Sequence, residues 1–527
     1  MWLSTDSRPP DRDVAPMKSQ PPNILLIMAD QLIPFLTGAY GHEVVKTPHL
    51  NRLVEDGIRF DAAYSPCPVC APARAALMTG RYASNIGAYD NAAAFSCEEP
   101  TVAHYLSLAG YDTVLSGKMH FIGPDQLHGF SRRFTTNVYP ADFEWVPVRN
   151  AAKPLARNHA LQYVGEAVKI GRWNQFLSGD EETQFRAVEY LRAKGLETEA
   201  VRLQGGTPQP FFLCVSYHHP HEPFWPPQDL WDLYADAEIA VPHLPDQLEA
   251  TYSILDRWLN IYHGVAKAAD LRKPASIRRV RRAYYALVTY VDRKVGELLD
   301  ALRDNGFGHN TIVVFTSDHG DMLCERGMVQ KRTFYEWSSR IPLIMRFPNG
   351  WQAGRRCPEP VNLIDLMPTL LDLVGIADAE RVAVDGRSLL GLVDGSDEND
   401  REVFAEYHSQ GCHAPCFMIR QGSYKYVSIH GYESQLFDLE ADPGEWHTLS
   451  GNPAYQEIEA ALHARVLEQF DPDAIDAAVT ASIRKRELIQ HAMSITGLRW
   501  DIEPRFDPTK GITDQYLLGK GTAEILR

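Results

Sequence analysis

Continuous apolar runs, not alternating ones, dominate the first two thirds of the chain. Residues 23–28, 111–116, 211–216 and 311–316 each read as a strand with apolar side chains on both faces. Such strands belong to the interior of a parallel sheet covered by helices on both sides. A further strand is predicted at 341–346. The clearest helix is 276–303, where Ile277, Val280, Tyr284, Leu287, Val291, Val295 and Leu298 form one stripe at three-four spacing. Shorter helices are predicted at 47–57 and 363–374, and one at 181–194 within an irregular stretch, 136–210, expected to lie over the sheet. Beyond residue 401 the texture changes to short alternating strands at 417–420, 424–429 and 435–438, with a covering helix at 454–470. The pattern predicts an α/β fold, a central mostly parallel sheet flanked by helices, with a smaller C-terminal α+β subdomain. The expected divisions are a disordered lead-in at 1–20, a catalytic domain at 21–400, an antiparallel-sheet subdomain at 401–496, and a tail at 497–527 that reaches a neighbouring subunit.

Polar residues follow each apolar run at once. They are Asp30-Gln31, Lys118 with His120, His219-Pro220-His221, and Ser317-Asp318-His319-Gly320. Ligands bind beyond the carboxyl ends of strands in open α/β sheets, so these residues converge on one edge. Asp30, Gln31, Asp318 and His319 have the chemistry to ligate one cation. Oxygen donors favour calcium, magnesium or manganese, and the imidazole tilts the choice toward manganese. His221, stiffened by flanking prolines, suits acid-base work.

A second feature is Cys70-Ala71-Pro72-Ala73-Arg74. Pro72 suits the first turn of a helix, where its missing donor is not needed. The Cys70 thiol then sits at a helix N-terminus, which favours anions, and Arg74 faces it from one turn on. On these residues alone, a buried cysteine opening an ordinary helix is an equal reading. Asn91 lies 21 residues further on in a polar turn, and Lys331 thirteen residues after Asp318. Arg74, Lys118 and Lys331 together would hold a tetrahedral oxyanion.

Composition narrows the field. The chain has 527 residues, 45% apolar and 23% charged, with a formal net charge of -16. That length suggests two domains. The acidic balance argues against non-specific nucleic-acid binding but not against an anionic small substrate. No apolar run approaches the length of a membrane span, and residues 1–20 lack the apolar core of a signal peptide, so a cytoplasmic protein is expected. The eight cysteines are too sparse for a disulfide framework. Cys67 and Cys70 with Cys412 and Cys416 form an alternative zinc site, which would make the chain a binding protein rather than an enzyme.

Cys70-x-Pro-x-Arg74, followed by Thr79-Gly80, resembles the signature of the sulfatases. Asp30-Gln31, Thr47-Pro48-His49-Leu50, Gly117-Lys118, His219-Pro220-His221 and Ser317-Asp318-His319-Gly320 occur in the order found in that family. Tyr89-Asp90-Asn91-Ala92-Ala93, the run from Gly117-Lys118-Met119-His120 to Gly129-Phe130, and Gly327-Met328-Val329-Gln330-Lys331-Arg332 are similar to the choline sulfatases within it. Phosphonate monoester hydrolases share the Asp-Gln and Asp-His pairs but not the 117–123 stretch. The resemblance implies an alkaline-phosphatase-like fold and a Cys70 oxidised to formylglycine by a maturation enzyme. It assigns one divalent metal, calcium or manganese, to Asp30, Gln31, Cys70, Asp318 and His319. Asn91, His120, Lys118 and Lys331 would contact sulfate, Arg74 would support the nucleophile, and His221 would protonate the leaving alcohol. Trp145 matches a substrate-binding stretch, with Phe224, Trp225, Glu406 and Asp501 as further candidates for a quaternary ammonium. The implied reaction is hydrolysis of a sulfate monoester, choline O-sulfate first, by a homo-oligomer of two or four chains; an arylsulfatase or a phosphonate or phosphate ester hydrolase is the alternative. Two departures stand out. Gln410 replaces an acidic residue, and the tail past Trp500-Asp501 does not follow the choline sulfatase ending.

Overall fold

The computed structural model describes residues 21–136, 139–149, 155–377, 380–397 and 401–497. The expected lead-in, the tail and Asp501 lie outside the described residues. Eight strands form the main sheet: β1 (Asn23–Asp30), β2 (Ile58–Tyr64), β3 (Asp112–Gly117), β4 (Arg132–Arg133), β5 (Phe211–Pro220), β6 (Thr311–Ser317), β7 (Arg340–Arg346) and β8 (Arg355–Asn362). Their order is β4-β3-β5-β1-β6-β7-β2-β8. β1 pairs in parallel with β5 and β6 at the centre, and β7 alone runs against its neighbours. β1 shows why the sheet must be covered twice. Ile24, Leu26 and Met28 enter one apolar cluster with Leu77, Met78 and Leu370; Leu25, Ile27 and Ala29 enter another with Tyr284, Leu287 and Val291. Both faces are apolar, so a helix layer lies on each. The second is the helix Pro274–Asp304, whose predicted stripe is the buried one.

A smaller antiparallel sheet follows: β9 (Glu402–Tyr407), β10 (Cys416–Gln421), β11 (Tyr424–Ile429) and β12 (Gln435–Asp438), in the order β12-β11-β10-β9. The helix Gln456–Gln469 covers it through Leu462 and Val466. The other face packs on Tyr64, Cys67 and Val69, the segment leading into Cys70. The α/β architecture with a small C-terminal sheet is as the sequence predicts. Among the described residues, no helix is long and apolar enough to cross a membrane.

Several elements exceed the pattern. β8 contains Pro358 and Pro360 and reads as a loop, but an edge strand tolerates proline. The helix predicted at 181–194 spans Gln175–Leu203. Much of its inner face is polar: Asp180, Thr183 and Gln184 are buried, and Asp180 accepts the backbone N–H groups of His218 and His219 at 2.7 and 3.0 Å. Hydrogen bonds replace the apolar stripe that periodicity would detect. The helix Pro472–Thr496 has no strong stripe either; Val479, Ile483 and Arg486 are its buried residues. Arg486 places both arms on the fully buried Asp90 carboxylate, at 2.6 and 2.9 Å, and Ser409 donates to the same group at 2.9 Å.

Removing one partner of such a pair strands a buried charge. Arg486→Ala is expected to lower unfolding free energy by about 3 kcal/mol in urea titration. Arg465→Ala, which breaks a half-exposed pair with Glu402, is expected to cost under about 1 kcal/mol.

Candidate functional site

The polar residues at the carboxyl ends of β1, β3, β5 and β6 meet at one spot. Asp30 ends β1 fully buried. The chain then turns sharply: Gln31 adopts a left-handed φ of 66°, and its N–H donates to Asp318 Oδ1 at 3.1 Å. Asp318 follows β6 at zero exposure. At the end of β3, Gly117 has φ 104°, and a Cβ there would lie 1.9 Å from Ser216 O of β5. Only glycine permits that approach, which carries Lys118 over to the Asp30 carboxylate, with which its Nζ pairs.

The helix Cys70–Thr79 begins beside these strand ends, and all ten of its residues are buried. Alanines at four positions favour it, and Gly80 closes it with a left-handed φ of 65°. Its N-cap, Val69, has no capping side chain. Asn91 takes that part, accepting the Ala71 N–H at 2.9 Å. Cys70 Sγ lies 3.1 Å from His319 Nε2 and 3.8 Å from Asp30 Oδ1. Arg74 donates from Nε to Asp318 Oδ2 at 2.8 Å and from Nη2 to Asp30 Oδ2 at 3.2 Å. Nη1 reaches Ser216 Oγ at 2.8 Å and the Lys118 carbonyl.

Charge is concentrated here. Burial would raise the Asp30 carboxyl, but Lys118, His221 and Arg74 hold it well below the ordinary range. Burial and Asp30 push the Cys70 thiol up, and Lys118, Lys331 and His319 outweigh them and bring it to about 6. Burial and then Lys331 press the His221 imidazole well below its usual value; burial and Lys118 do the same to His120. His221 Nδ1 is 2.8 Å from the Glu222 carbonyl, which can only accept, so Nδ1 carries the proton. Its Nε2 faces Lys331 Nζ at 2.7 Å.

Residues 22–376 match the sulfatase family model, and residues 324–471 match the model described as N-sulphoglucosamine sulphohydrolase, C-terminal. The chain belongs to the sulfatase family. It is 39% identical over 501 residues to the choline-sulfatase of Rhizobium meliloti (strain 1021), covering 93% of this chain and 94% of that protein. It is 28% identical to an arylsulfatase of Clostridium perfringens (strain 13 / Type A), over 85% of this chain and 94% of that one. Among solved structures, the phosphonate monoester hydrolase of Agrobacterium radiobacter superposes with a TM-score of 0.67 at 25% identity, over 85% of this chain and 95% of that one. A 2-O GAG sulfatase superposes at 0.64 with 26% identity, over 92% and 96%.

In this sulfatase the donor atoms of Asp30, Cys70, Asp318 and His319 all lie within 4.8 Å of one another. They suit a divalent cation for a specific reason. Arg74 occupies the Oδ2 atoms of both carboxylates, and Lys118 the same atom of Asp30. His319 Nε2 sits 3.9 Å from Asp30 Oδ1 and 3.7 Å from Asp318 Oδ1. His319 Nδ1 lies 2.9 Å from the Gly320 carbonyl, which leaves Nε2 as the nitrogen able to ligate a cation. Gln31 is adjacent but turned: its amide oxygen accepts from Lys331, and its Nε2 donates to Glu222 at 3.0 Å and to Asp321.

A pocket of about 450 Å³ opens above Cys70, and Asn91, His120, Trp145, His221 and Lys331 all line it. Trp225 lines it too, whereas Phe224 is buried against Tyr163 and Tyr284. Glu406 is absent from the lining; it binds the Ser84 N–H at 2.8 Å and His408 at 2.7 Å. Tyr139, Lys169, Phe176, Glu222 and Arg332 are also in the walls and carry no mark in the sequence beyond their place beside a named residue or in an irregular stretch. A cleft of equal size, lined by His49, Arg52, Asp300, Arg303 and Arg346, lies at the opposite edge of the sheet and contains no such cluster. Cys70 stands with Asp30, not with Cys412 and Cys416, and no zinc-type cysteine group exists among the described residues.

Ligands that bind only the folded chain stabilise it. Stripping divalent metal with a chelator is expected to lower the melting temperature, and calcium or manganese to restore it. Asp318→Asn is expected to show little or no metal-dependent shift.

Proposed function

We propose that the protein hydrolyses a sulfate monoester with a formylglycine made from Cys70 and one divalent cation. The observation that carries this reading is the junction of Cys70, Asp30, Asp318 and His319 beneath a pocket lined by Lys331, His120 and His221, with Lys118 paired to Asp30 below it. The cation would be held by those residues and would neutralise charge on the sulfuryl oxygens. A hydrated aldehyde at residue 70 supplies one hydroxyl to attack sulfur and a second whose deprotonation expels sulfate; a thiol offers no such second step.

The chain's own residues provide the rest. Arg74 fixes the two carboxylates, and Asn91 fixes the helix start that presents residue 70. Lys118, Lys331 and His120 face the position of the sulfate oxygens, where preorganised donors stabilise developing charge. The departing oxygen needs a proton, and the His221–Lys331 pair, 2.7 Å apart, is the donor in place. The partner this reading requires is a maturation enzyme that oxidises Cys70.

Choline O-sulfate is the first substrate to test. The likeness to a choline-sulfatase over 93% of the chain supports it, as does Trp145 in the pocket wall, an aromatic ring of the kind that attracts a quaternary ammonium. A second reading, a different sulfate ester on the same machinery, is favoured by the neutral Gln410, whose Oε1 faces the Asn91 N–H at 3.5 Å.

The peptide containing residue 70 is expected to be about 18 Da lighter than its unmodified form. An intact cysteine in active protein would reject the nucleophile. Cys70→Ala is expected to abolish turnover with the melting temperature little changed. His221→Ala is expected to slow esters of poor leaving groups by about 10²-fold or more and nitrophenyl sulfate far less. Equal losses across leaving groups would remove His221 from the acid role.

A further inference from the structure

A sulfate monoester brings one negative charge, and the pocket holds more positive charge than that. Lys118 is paired with Asp30. Lys331 is not; its partners are the Gln31 amide and His221. The next residue, Arg332, is 4% exposed and also lines the pocket. Its Nη1 donates to Gln330 Oε1 at 3.3 Å, its guanidinium lies 5.5 Å from the Tyr262 ring centroid, and its Nε has no hydrogen-bond partner among the described residues. No carboxylate among the described residues forms an ion pair with it. A buried guanidinium without a counter-charge is costly unless a ligand supplies one.

The rim adds to the imbalance. Lys169 is exposed and holds its ammonium 4.5 Å from the centroid of the Trp225 ring, so a cation of the chain already covers that aromatic face. Glu222 is the only carboxylate among the described lining residues. Its oxygens are committed to Gln31, Gln330 and His221. Among the described lining residues, a quaternary ammonium entering here would meet two cations and no uncommitted acid.

We propose that the alcohol half of the substrate carries a carboxylate, received by Arg332 with Lys169 at the rim. This rests on the sulfate-ester reading above and gives its second branch, a different sulfate ester, a substrate class: a sulfated hydroxy acid, with its body against Trp145. A charge-assisted bond from a guanidinium is about twice as strong as a neutral one, so the preference is large enough to measure.

The test compares 4-carboxyphenyl sulfate with its methyl ester, which differ in charge but little in shape. Binding of each to the Cys70→Ala protein is followed by calorimetry, so turnover is not needed. The carboxylate is expected to bind at least fivefold tighter. That ratio is expected to fall toward one in Cys70→Ala/Arg332→Gln, to be partly kept in Cys70→Ala/Arg332→Lys, and to drop in Cys70→Ala/Lys169→Ala. A ratio below fivefold, or one that survives Arg332→Gln, overturns the proposal. Should the Arg332→Gln protein fail to fold, the ratio in Cys70→Ala and its drop on Lys169→Ala decide. Turnover by the converted enzyme separates the two readings. Charge preference without hydrolysis keeps the subsite and rejects the sulfatase chemistry; hydrolysis without preference does the reverse.

Discussion

The Arg74 guanidinium lies at zero exposure between Asp30 and Asp318, and the site is built outward from it. Two carboxylates this close repel each other, and taking each from water costs several kcal/mol. Burial opposes the charge on Arg74, but Asp318 and Asp30 hold it more firmly protonated than in water. Its donors are spread over both carboxylates, Ser216 and a backbone carbonyl, which is the condition under which a buried ion cluster is tolerable. Because Arg74 stands four residues after Cys70, one helix face delivers both. The fork that neutralises the acids and the side chain that faces them therefore share one rigid register.

From that arrangement follows a division of labour among atoms. The cations engage the Oδ2 atoms, and Oδ1 of Asp30 turns toward His319 Nε2 and Cys70. Burial first, and then the same lysines that lower the Cys70 thiol, favour the neutral state of His221 and His120. A neutral imidazole beside an ammonium has its next proton at hand without carrying a permanent charge. Burial, so often a cost to ionisable groups, is here what lets a few fixed charges set every protonation state around residue 70.

How far the sequence revealed this depends on what each element is made of. β1, β5 and β6 are apolar on both faces and were legible as central strands, and their polar endings marked Asp30, His221, Asp318 and His319 at once. β2 and β8 were not: β2 carries Arg59 and Asp61 among its apolar residues, and β8, at the sheet edge, is rich in Arg and Pro. The helix Gln175–Leu203 was half legible, since Asp180 and Gln184 do the packing that leucines would otherwise announce. The family resemblance marked Asn91 as a candidate sulfate contact, but its service as a cap for the Cys70 helix depends on a turn that only the fold brings within 2.9 Å. Tyr139, Phe176 and Arg332 come from separate segments, and no local spacing signals their meeting. The acids and imidazoles beside Cys70 follow strand ends, where an apolar run announces them; the walls come from helices and connections that share no such signal.

The chain's net charge of -16 and the pocket's surplus of cations are compatible because electrostatics acts over short range. At physiological salt, charges separated by more than about 8 Å of solvent scarcely feel one another. The acids of the outer surface are screened from the floor of the pocket, while Lys331 and Arg332 line it, where low-dielectric walls focus their field. Glu222 does not cancel that field, because its oxygens serve Gln31, Gln330 and the back of His221. Its charge is spent on holding the amide and imidazole that Lys331 contacts. The acid in the wall therefore orients the cations rather than neutralising them, and the pocket stays positive where the ester must lie.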